Sequence, residues 1–70
     1  MSPTGKILGI YPEGRSTVYS YLCRGEDDRL LSFPVEFRYH MDILENEGNP
    51  VGWKVEYRDD IEPPTIRFLD

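Results

Sequence analysis

Thr17-Val18-Tyr19-Ser20-Tyr21-Leu22-Cys23 is the stretch whose reading decides the fold. Successive side chains of an extended chain point to opposite faces of a sheet. Here Val18 and Leu22 fall on one face, with Thr17, Tyr19, Tyr21 and Cys23 on the other. β-branched and aromatic residues at that period specify a strand. With the aliphatic pair taken as core-facing, the two tyrosines share the outward face.

Upstream, Lys6-Ile7-Leu8-Gly9-Ile10-Tyr11 is a second extended run. Between the two runs, Pro12-Glu13-Gly14-Arg15 has the proline and glycine of a turn, so the pair reads as a hairpin. Downstream, Arg24 to Asp28 is a polar break, followed by a third strand from Arg29 to Phe37 with Leu31, Phe33, Val35 and Phe37 on one face. Pro34 has no backbone donor, so this strand is bulged near its middle or lies on a sheet edge. A fourth strand alternates Trp53, Val55 and Tyr57 with Lys54 and Glu56, and a fifth runs from Thr65 to Leu69 after the Pro63-Pro64 break. Between the third and fourth strands, His40 to Glu45 is read as one helical turn, stopped by Gly48 and Asn49-Pro50.

Five short strands in 70 residues predict one all-β domain over residues 1–70, a small five-stranded antiparallel barrel of OB-like or cold-shock-like form, with an SH3-like barrel as the alternative. The expected core is Ile7, Val18, Leu22, Leu31, Val35, Val55 and Ile66. A folded chain this short buries only about 60% of its unfolded surface, so closure, a partner or a ligand adds useful stability. The net charge of −5 argues against broad non-specific binding to polyphosphate or an anionic membrane surface, though not against a local basic patch. One cysteine, no signal-peptide run and no spanning apolar stretch predict a cytoplasmic protein in a reducing compartment, with no membrane association.

The layout resembles a cold-shock domain, the small five-stranded version of the OB-fold. Gly5-Lys6-Ile7 resembles that family's opening strand, Tyr19-Ser20-Tyr21-Leu22 its aromatic-glycine-aromatic-isoleucine stretch, and Gly52-Trp53-Lys54-Val55-Glu56-Tyr57 its fourth strand. Pro63-Pro64 to Leu69 resembles the last strand. Two positions depart from the pattern: Gly9 stands where the family has a surface tryptophan, and Glu36 is aimed at the binding face, where a carboxylate repels phosphate. The resemblance implies binding of single-stranded RNA or DNA.

Such binding needs cations along the backbone and exposed aromatics that stack bases. Lys6, Tyr11, Tyr19, Tyr21, Arg38, Tyr39 and His40 are the candidate nucleic-acid-binding residues. The alternative is a protein-protein interaction module or accessory subunit using an acidic surface and an exposed strand edge, as a monomer or weak dimer. Glu26-Asp27-Asp28 and Asp59-Asp60-Glu62 lack the spacing of a calcium loop and read as solvated turns, with no metal and no cofactor expected. His40 reads as an ordinary loop histidine. It has no neighbouring nucleophile motif, so no catalytic residue and no enzyme activity are expected.

Overall fold

Thr4–Pro12 forms the central strand β1 of an antiparallel sheet, flanked in the order β3-β2-β1-β4-β5 by β2 (Val18–Gly25), β3 (Leu30–Glu36), β4 (Lys54–Arg58) and β5 (Thr65–Phe68). The helix α1 (Phe37–Asn46) links β3 to β4. The structure, a computed structural model, describes residues 3–14 and 17–69, so Arg15 of the expected first turn lies outside the described residues. Among the described residues no helix is long and apolar enough to cross a membrane. The five strands fall where alternation predicts them, within a few residues at each end. They do not close into a barrel: β3 and β5 are free edges that approach each other without pairing.

β1 and β2 pair from Gly5↔Gly25 to Pro12↔Tyr19, with a register shift between Ile7 and Gly9. Leu8 is the extra residue of this bulge. It turns the second half of β1 over, so that Ile7 and Ile10 both face inward although they are three apart. Simple alternation cannot show that.

Pro34 sits on an edge and causes no bulge. The β2–β3 register runs unbroken from Val18↔Glu36 to Arg24↔Leu30. The Gly25 N–H donates to Arg29 O at 2.8 Å and the Phe37 N–H to Thr17 O at 2.6 Å, which makes the odd residues of β3 the ones bonded to β2. Backbone groups of Leu30, Ser32, Pro34 and Glu36 therefore point to the free edge, where a missing donor leaves no ladder bond unmade.

The core departs from the expected one in β2. Ile7, Tyr21, Cys23, Phe33, Val55 and Tyr57 are buried, and Leu31, Val35 and Ile66 pack against them half-buried. Val18 and Leu22, expected inside, are half-buried on the other face. Both faces of β2 are apolar, and the larger rings took the covered side. What covers them is α1, ten residues long rather than the single expected turn. His40 and Ile43 turn toward the sheet. Phe37, expected as the last inward residue of β3, instead opens the helix, 47% exposed. The helix stops where the Glu47 and Gly48 N–H groups both donate to Ile43 O, at 2.9 and 3.0 Å, with Gly48 at φ +91°, a conformation open to glycine.

Candidate nucleic-acid interface

The even positions of β1 before the bulge, and their partners, form the outer face of the sheet. Lys6 is paired with Arg24 on β2 and with Lys54 on β4. Directly paired residues share a face, and neighbouring strands lie about 4.8 Å apart, so the three cations form a row roughly 10 Å long across β2, β1 and β4. All three are exposed. Among the described residues none of them has a carboxylate within ion-pair distance, whereas Arg29, Arg58 and Arg67 each do. Like charges placed directly opposite one another destabilise a sheet. This row is therefore a cost to the fold that an anionic ligand would relieve.

Two acids flank the row and both are engaged elsewhere: Glu26 accepts hydrogen bonds from the Thr4 hydroxyl at 2.8 Å and the Thr4 N–H at 3.2 Å, and Glu56, on the same face opposite Thr4 and two positions from Lys54, meets Arg67 at 3.0 Å. Thr4, Lys6, Leu8, Arg24, Glu26 and Lys54 line one shallow depression.

Of the seven residues singled out from the sequence, Lys6 and Tyr11 lie on this face. Tyr11 pairs with Ser20, whose side chain shares the outer face with Leu22 and Arg24. Its ring folds back over Gly9, so closely that a Cβ on Gly9 would stand 2.7 Å from the Tyr11 hydroxyl. An aromatic ring thus covers the Gly9 position even though the residue there has none, and Tyr11 keeps 55% of its surface exposed.

Tyr19, Tyr21 and His40 go elsewhere, which corrects the expectation of an exposed tyrosine face. Tyr21 is fully buried. Its hydroxyl shares a 2.7 Å hydrogen bond with His40 Nδ1, and burial pushes its pKa up to about 12. Tyr19 is half-buried and stacks on the His40 ring at 4.5 Å between centroids. His40 is a helix residue only 7% exposed, not a loop histidine. Arg38 and Tyr39 are exposed on α1, away from the cation row, and Tyr39 borders a groove between β3 and β5.

Arg24 and Lys54 are the residues that sequence reasoning missed. Each occupies the polar position beside an inward residue, Cys23 or Val55, which marks it as outward-facing. Only the strand register aligns both with Lys6.

Glu36 is not a neighbour of the row. It pairs with Val18 at the opposite end of β3 from Leu30↔Arg24, six residues away, or roughly 20 Å along the strand. That is about twice the screening length at 0.1 M salt.

The two acidic loops are joined by Arg29, which meets Asp27 at 2.7 Å and Asp59 at 3.2 Å, while Asp60 meets Arg58 at 3.1 Å. The excess negative charge is thereby partly compensated by ion pairs within the loops. In comparison with known proteins, no family model, no curated protein and no solved structure matches this chain.

Proposed function

We propose that the chain is a small binding module that takes the backbone of single-stranded RNA or DNA across the outer face of β2, β1 and β4. The observation that carries this reading is the exposed row Arg24, Lys6 and Lys54, without an ion-pair partner among the described residues, in a chain of net charge −5. Tyr11 lies on the same face and offers a base one stacking surface, worth about 1–3 kcal/mol in such sites. Leu8 and Leu22 supply apolar surface between the cations and the ring. With three cations and one exposed ring, the module binds weakly and with little sequence preference.

The strand order, the helix between β3 and β4 and the approach of β3 to β5 support a partly open barrel of the OB type, as the cold-shock resemblance of the sequence implies. A buried free thiol, Cys23, fits a reducing, cytoplasmic setting.

The test is a titration of the full chain with oligo-dT and oligo-rU at ~50 mM salt, where electrostatic attraction is weakly screened, followed by amide chemical shifts. Saturable shifts at Lys6, Arg24, Lys54 and Tyr11 are expected. No perturbation at ~100 μM oligonucleotide overturns the reading.

A further inference from the structure

A second surface lies away from the cation row and differs from it in chemistry. Between the free edges of β3 and β5 runs a groove of about 370 Å³, walled by Val35, Ile43, Ile66 and Phe68, with Tyr39 and Glu36 at its margin. Its volume is within the range of small-ligand clefts.

One edge of the groove is better suited to accept a strand than the other. The Leu69 N–H donates to Lys54 O at 3.0 Å, so alternation along the β4–β5 pair turns the backbone groups of Ile66 and Phe68 outward, toward the groove, where among the described residues no strand pairs with them. Facing them, the outward row of β3 lacks one donor at Pro34, which has no N–H to give. An extended segment would therefore pair with β5, while its side chains rest on Val35 and Ile43.

Charge says what that segment carries. Glu36 is exposed, and among the described residues it has no ion-pair partner. Among the described residues it is the one charged side chain lining the groove, so the groove's own charge is negative. Tyr39, 65% exposed at the margin, is of the residue type that anchors protein interfaces.

We propose that this groove binds an extended segment of a partner protein in which apolar residues alternate with Lys or Arg, added as a strand to the β5 edge. The site is independent of the nucleic-acid reading, since it shares no residue with the cation row. The two surfaces together would make the module an adaptor between a polyanion and a protein.

The test selects a randomised heptapeptide display library against the full chain, with the Tyr39→Ala/Glu36→Lys chain as the counter-target. Both altered side chains are exposed, and circular dichroism confirms that the counter-target is folded. Enriched peptides should alternate apolar and basic residues and should give saturable amide shifts at Ile66 and Phe68. They should bind the Glu36→Lys chain about tenfold more weakly and the Lys6→Ala chain unchanged. The proposal is overturned by no enrichment over the counter-target or by an acidic consensus. It is equally overturned if sedimentation shows two copies of the chain meeting through this groove, or if oligonucleotide shifts the same amides.

Discussion

The phenol of Tyr21 on β2 and Nδ1 of His40 on α1 lie 2.7 Å apart in the interior, and this bond ties the helix to the sheet. The edge of the Tyr21 ring also meets the His40 ring at 5.6 Å, and the face of Tyr19 meets it at 4.5 Å. Tyr21→Phe keeps the packing and removes the hydroxyl, leaving a buried ring nitrogen without its partner. The expected loss is about 1–3 kcal/mol. In a domain of this size that lowers Tm by roughly 4–8 °C per kcal/mol, which calorimetry reads directly. An unchanged Tm would mean that solvent reaches His40 Nδ1.

Alkali should weaken the fold through two buried acids. Burial raises Tyr21 from 10.0 to about 12 and Cys23 from 9.0 to about 11. Both groups bind protons more tightly folded than unfolded, so stability is fully present below pH 9 and is lost as pH rises toward 12. Urea unfolding midpoints at pH 8 and pH 11 test the sign, and a higher midpoint at pH 11 would contradict it. Cys23 is fully buried and its thiol is held protonated, so at pH 8 a disulfide reagent should react only after unfolding.

Two glycines of β1 differ in what an added methyl would strike. At Gly5 the new Cβ would lie 2.6 Å from the Arg24 carbonyl oxygen, which is backbone of the paired strand. At Gly9 it meets only the far end of the Tyr11 side chain, which can swing away. Gly5→Ala should therefore cost about 1–3 kcal/mol, the usual range for overpacking, and Gly9→Ala clearly less. The second variant should instead shift the Tyr11 ring resonances. Equal losses in urea unfolding would refute the distinction.

Val55 is fully buried at the centre of the core, opposite Gly5 on β1 and Phe68 on β5. Val55→Asp places a carboxylate there with no partner, at a cost of several kcal/mol in a fold of marginal stability. Loss of amide dispersion and of cooperative unfolding is the expected result. A folded variant with parental stability would show that water reaches this position.

Oligonucleotide binding should weaken with salt in proportion to the phosphates met. For a single strand each neutralised phosphate contributes about 0.7 to the log-log slope, so the complete row gives a slope of about −2. Lys6→Ala, Arg24→Ala and Lys54→Ala should each flatten it by about 0.7. Arg38→Ala, on the helix and outside the row, should leave it unchanged, and an equal effect there would disperse the site over the whole surface.

The sequence by itself determined the five strands and the hairpin between the first two, and it narrowed the third strand to a bulge or a sheet edge, between which the strand order decided. Each rests on a local rule: alternation at period two, turn residues at Pro12 to Gly14, and a proline that only a bulge or an unpaired edge tolerates. Tertiary structure decided which face of β2 is interior. Val18 and Leu22 on one side and Tyr19, Tyr21 and Cys23 on the other are both apolar, so the choice belongs to whatever covers the strand. The covering element is a helix held by contacts of its His40 with residues about twenty positions earlier in the chain. The alignment of Lys6 with Arg24 and Lys54 was likewise beyond local reading, because alternation tells which side of its own strand a residue takes and only cross-strand register tells what stands beside it.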